Sequence, residues 1–162
     1  MNSTKRDLEL AMQIREWMVC HGKTLSTAES CTSGRIAATL TSVSGASDYF
    51  QGGMLVYQNW LKTEYLGVSR ELIDENDVVS ENVVRQMVQG CLERFQTDFA
   101  IASTGYTGGG SDRVPRGTVW IGWGAPDDIH TLCLTTDAGR EINTINAAAA
   151  AVFSFYKYIE EL

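Results

Sequence analysis

Apolar residues recur at Leu10, Ile14, Trp17 and Cys20/His21, a helical spacing that predicts an amphipathic first helix stopped near Gly22. Residues 23–29 read as a short strand. Ile36, Leu40 and Val43 then stripe a second helix from about Ser33, broken by the small-residue run at 44–47. Residues 49–58, YFQGGMLVYQ, are aromatic and β-branched enough for a strand, and Gly52–Gly53 within it mark a bulge or a close backbone approach. A short helix from Asn59 to about Leu66 ends at Gly67, and one helical turn follows near Glu71–Ile73. Residues 80–95 predict a helix capped by Ser80, with Val84, Met87/Val88, Cys91 and Phe95 on its apolar face.

The run DFAIAST, 98–104, is almost wholly apolar, as in a strand covered on both faces. A glycine-rich loop, 105–117, separates it from two further strands, TVWIGWG and IHTLCLTT, which APDD joins as a hairpin. A last helix starts near Arg140, with Ile142, Ile145, Ala149, Val152, Tyr156 and Ile159 as its inward stripe. The order α-β-α-β-α-α-β-β-β-α predicts an α/β protein, a three-layer α/β/α sandwich. The hairpin makes its sheet mixed. Residues 1–162 read as a single domain, with no repeat and no linker.

Composition narrows the partners. The net charge of −7 repels phosphate backbones and anionic lipid, so neither nucleic acid nor a membrane is expected as a partner. No apolar run approaches the ~20 residues needed to span a bilayer, and the N-terminal residues lack a signal-peptide core. A cytoplasmic setting is the expectation. Cys20, Cys31, Cys91 and Cys133 form no C-x-x-C pair and read as small buried thiols.

The chemistry concentrates in TAESCTSG, 27–34. A strand ending near Glu29 and a helix opening near Ser33 put Ser30, Cys31 and Thr32 on the connecting turn. Such a turn aims N–H groups at whatever lies above it, which suits a nucleophile with oxyanion donors. The same residues also suit plain helix caps. A serine nucleophile needs a base. His21 and His130 sit in no motif, so a Ser-His-Asp triad is not expected. Lys62 is a lysine within apolar structure, five residues after Tyr57. Burial would release its proton, and the tyrosine hydroxyl could relay one. A solvated lysine and a core tyrosine fit the spacing equally. The loop TGYTGGG could cradle a phosphate, with Arg113, Arg116 and Arg140 as nearby cations, or could be only a tight turn. Cys31, at the helix start, reads as a packing residue.

Four segments resemble the CinA C-terminal domain family: TAESCTSG, YFQGGMLVYQNWLKTEYLGV, VSENVVRQM and STGYTGGG…VPRGTVWIG. Together the resemblance spans about residues 5–160. It implies an α/β/α sandwich similar to anticodon-binding domains. It also implies an amidase that converts nicotinamide mononucleotide to nicotinate mononucleotide and ammonia, without metal or organic cofactor. Members are commonly dimeric, so a homodimer with a pyridine-nucleotide substrate is expected. The resemblance is to the stand-alone form of the family. It carries catalysis to Ser30, Tyr57 and Lys62, with Lys62 taking the Ser30 proton directly or through Tyr57. It carries substrate binding to Cys31, Thr32 and Ser33 on the turn, to Thr104, Gly105, Gly108 and Gly109 in the loop, and to Arg140. N–H groups near Cys31 to Ser33 would stabilise the oxyanion.

The chain also departs from the family pattern. Ser33 replaces a glycine of the signature. The glycine loop is two residues shorter and carries Tyr106 and Thr107. Thr144 stands where a second arginine of the last helix is usual. An altered pocket leaves two alternatives beside the amidase: a shifted substrate, or an inactive relative serving as a binding or regulatory domain.

Overall fold

Leu25–Glu29 (β1) and Phe99–Gly105 (β3) are buried along almost their whole length, because helices cover the sheet on both faces. The computed structural model describes residues 3–162. The other strands are Phe50–Leu55 (β2), Val119–Ala125 (β4) and Asp128–Leu134 (β5). The helices are Ser3–Cys20 (α1), Arg35–Leu40 (α2), Asn59–Leu66 (α3), Arg70–Asn76 (α4), Glu81–Phe95 (α5) and Arg140–Glu160 (α6). The strand order is β2-β1-β3-β4-β5. The first three run parallel, and β4 and β5 are antiparallel additions. This is the mixed α/β/α sandwich that the periodicities predict.

One core, under α1, α2 and α6, gathers Ile14, Leu25, Ile36, Ile101, Val152 and Phe155. The other, under α3 and α5, gathers Ala28, Leu66, Val84, Met87, Val88 and Ala102. After β1 the chain crosses to β2 on one side, and later to β3 on the other. That makes the C-terminal end of β1 a topological switch point, where open α/β sheets leave a crevice. Ser30 is the residue that follows.

Several details differ from the periodic reading. The inward face of α6 is Asn143, Thr144, Ala147, Ala148, Ala151, Val152, Phe155 and Ile159, whereas Ile142 and Ile145 are 49% and 41% exposed. Two polar residues take the inward positions because they have partners. Asn143 Nδ2 donates to the Thr107 carbonyl at 2.9 Å, and the Thr144 hydroxyl donates to the Arg140 carbonyl at 2.8 Å. The α1 stripe is Leu10, Ile14 and Met18, with Cys20 and His21 outside it, the latter stacked on Trp17. Of the four cysteines only Cys31 and Cys91 are buried. Helix α2 begins at Arg35 and stops before Val43. Among the described residues no helix is long and apolar enough to cross a membrane, and no group of three or more His, Cys, Asp or Glu could hold a metal.

Candidate active site

Ser30, Cys31, Tyr57, Asn59, Lys62, Thr104–Gly109 and Arg140 surround a cavity of about 240 Å³ at this switch point. Lys62 enters it for a simple reason. The buried positions of α3 are Lys62 and Leu66, one turn apart, so the lysine occupies the helix's inward stripe and is only 1% exposed. Its Nζ lies 3.1 Å from Ser30 Oγ, 2.8 Å from the Val56 carbonyl and 3.2 Å from the Tyr57 carbonyl. Those three partners suit both protonation states. An ammonium donates to all three. A neutral amine donates to the two carbonyls and offers its lone pair to the Ser30 hydroxyl proton. Burial, the main cause, pulls the Lys62 ammonium down from 10.5 to about 8, so the neutral form is accessible near neutral pH.

Of the two expected routes, direct or through Tyr57, the geometry places the direct one in contact. The Tyr57 hydroxyl accepts from Arg140 Nη2 at 2.8 Å, and its ring is 46% exposed. Only its backbone carbonyl meets Lys62, so serine and lysine touch with no tyrosine hydroxyl between them. Burial pushes the Cys31 thiol up to about 12, which keeps it protonated where it lines the cavity.

Neither Ser30 nor Thr32 caps α2. The cap is Glu29, whose carboxylate takes the N–H groups of Gly34, Ile36 and Ala37 at 3.0, 3.2 and 2.8 Å. The Ser33 N–H is spent on the Ser30 carbonyl, and the Ser30 N–H on the Ser103 carbonyl. The N–H groups of Cys31 and Thr32 take no acceptor from another described residue, so they are the unspent donors of the turn. Ser33 sits at φ 54°, the left-handed region its glycine counterpart adopts freely, at a cost of about 1 kcal/mol.

Thr104, Gly105, Gly108 and Gly109 line the cavity, and the Arg140 side chain packs against Gly108. Arg113 and Arg116 face elsewhere. Arg113 donates to the Asp74 and Glu75 carbonyls at the end of α4, and Arg116 pairs with Asp137 at 2.6 Å. Arg140 is the arginine at the cavity. Glu29, Ser103 and Asn59 escaped the sequence reading. The signal was present for Glu29 alone, a lone carboxylate ending a fully buried strand.

Sheet and site together define an α/β/α sandwich with a buried serine–lysine pair at its switch point. The chain belongs to the CinA C-terminal domain family, which it matches over residues 7–159. It is 42% identical to a CinA-like protein of Colwellia psychrerythraea over 127 residues, 77% of this chain and 29% of that protein. It is 35% identical to a CinA-like protein of Chlorobium chlorochromatii over 160 residues, 96% of this chain and 38% of that protein. The chain thus spans about a third of these relatives. Among solved structures, the CinA superfamily protein from Klebsiella pneumoniae 700603 superposes with a TM-score of 0.91 at 30% identity, covering 96% of this chain and 99% of that one. The Escherichia coli superfamily protein gives 0.91 at 28% identity, covering 98% and 92%.

Proposed function

We propose that this chain is an amidase that deamidates nicotinamide mononucleotide to nicotinate mononucleotide and ammonia. The observation that carries the reading is the 3.1 Å contact between Lys62 Nζ and Ser30 Oγ inside a cavity that dehydrates the lysine. Ser30 Oγ attacks the carboxamide carbon while neutral Lys62 accepts its proton. The Cys31 and Thr32 N–H groups receive the oxyanion. The Lys62 ammonium then returns the proton to the departing nitrogen, and ammonia leaves. Lys62, neutral again, takes a proton from water as it hydrolyses the acyl-serine.

The test is ammonia release from nicotinamide mononucleotide by the purified protein, followed against pH. The base works only when neutral, so kcat/KM is expected to rise with pH and to level above about 8. A flat profile between pH 6 and 9 excludes Lys62 as the base. No release from folded protein excludes this substrate.

Arg140, braced by Tyr57, is the cation for the substrate phosphate. A charge-assisted hydrogen bond is worth about 1.5–3 kcal/mol, so Arg140→Ala is expected to raise KM by roughly 10–100-fold with kcat little changed. Steady-state kinetics on the variant checks this. The pairing of Arg113 and Arg116 away from the cavity supports a second reading, an amidase whose substrate carries less negative charge. An unchanged KM in Arg140→Ala, beside faster turnover of unphosphorylated nicotinamide riboside, favours that reading.

A further inference from the structure

We infer that Glu29 is a positioning residue for Ser30, acting through the hydroxyls of Thr32 and Ser103. The inference deepens the amidase reading and rests on it. Glu29 closes the only strand that leads straight into the nucleophile turn, and it is 1% exposed. Its carboxylate receives the Thr32 hydroxyl at 2.6 Å, besides the three N–H groups of the α2 start. Thr32 Oγ1 also lies 2.8 Å from Ser103 Oγ. Thr32 has a single hydroxyl proton, and the carboxylate takes it. The proton in the second contact therefore comes from Ser103. With that proton committed, Ser103 Oγ can only accept from the nucleophile's side, and the Ser30 N–H, shared with the nearer Ser103 carbonyl at 3.2 Å, lies 3.4 Å away.

The chain thus has one direction: Ser30 N–H to Ser103, Ser103 to Thr32, Thr32 to Glu29. Two consequences follow for the reaction. Every hydroxyl beneath the turn points its proton toward Glu29, so neither Thr32 nor Ser103 donates to Ser30 Oγ and blunts it. The Ser30 hydroxyl is left to Lys62, its partner at 3.1 Å. The carboxylate also spends the N–H groups of Gly34, Ile36 and Ala37, while Ser33 is spent on Ser30. The turn is fixed at both ends, and the Cys31 and Thr32 N–H groups stay open to a developing oxyanion.

The test measures serine reactivity without substrate. A fluorophosphonate forms a P–O bond to an activated serine as the P–F bond breaks, the proton passes to the base, and intact-protein mass spectrometry follows the adduct. Misplacing a reacting group by an ångström costs up to about 10²-fold, so Thr32→Val and Glu29→Gln are expected to slow Ser30 labelling at least tenfold. Thr32→Ser restores the hydroxyl and is expected to label within about twofold of the parent. A purely structural role would lower the melting temperature and leave labelling of the folded protein unchanged. Equal labelling of folded Thr32→Val overturns the inference and leaves the amidase standing. A parent protein that never labels at Ser30 removes the nucleophile, and with it the amidase. Thr32→Val is nearly isosteric and carries the test if Glu29→Gln fails to fold.

Discussion

Ser30→Ala and Lys62→Met are each expected to lower kcat for ammonia release by about 10³–10⁴-fold or more, with little change in KM. In that mechanism the two residues act as one unit, because the Ser30 hydroxyl passes its proton straight to the Lys62 amine it touches. The double variant is therefore expected to be no slower than the worse single variant, a non-additivity that marks a shared step. Stability reports on the same lysine. Its folded pKa of about 8 lies below the ordinary 10.5, so between those values the unfolded chain binds more protons. The Lys62 contribution to stability then rises with pH across that window, by roughly 3 kcal/mol in all, and below pH 8 the full cost of burying the ammonium remains. Lys62→Met removes that slope. It also strands the Val56 and Tyr57 carbonyls, which offsets the gain at neutral pH. Denaturant titrations of both proteins at pH 7.5 and 10 measure the difference. Retained turnover in Lys62→Met, or equal slopes, would remove the buried-base account.

Gly90→Ala is expected to cost about 3 kcal/mol or more, although alanine favours a helix over glycine by about 1 kcal/mol. A Cβ at Gly90 would stand 1.9 Å from the Leu66 carbonyl oxygen. That neighbour is backbone, at the last residue of α3, and it cannot rotate aside. The clash therefore outweighs the propensity, and α3 must move off α5. Lys62 lies one turn earlier on α3, so the displacement also pulls the amine from Ser30. A fall in melting temperature of roughly 6–12 °C, together with loss of turnover at temperatures where the variant is still folded, is the expected pair of results. An alanine variant as stable as the parent would mean that α3 has another seat on α5.

The difference between residues that sequence exposed and those it hid is physical. α3 was legible to its ends because Gly67 adopts the left-handed conformation that stops a helix. α5 was legible because Ser80 caps it and its apolar stripe is continuous. Helix α6 was legible in extent and misread in face. Burying Asn143 and Thr144 depends on the Thr107 carbonyl and on the helix's own turn, and periodicity records only apolarity. The choice between a reactive serine and a plain cap could not be made locally. Glu29 takes the cap through partners just downstream in the turn, and whether Ser30 meets a base depends on Lys62, 32 residues away.

The sequence by itself determined the element order, the mixed α/β/α architecture and the family, since these rest on local periodicity, turn residues and contiguous motifs. It also placed a serine at a strand-to-helix turn and a lysine in apolar surroundings. Only the tertiary structure decided that these two meet. It also decided that the Tyr57 hydroxyl reaches Arg140, and that Arg113 and Arg116 face away from the cavity. The reason is distance along the chain. Ser30 and Lys62 lie 32 residues apart, and Tyr57 and Arg140 lie 83 apart. Contacts of that span are fixed by how helices seat on the sheet, as at Gly90, and by which buried donors remain unspent.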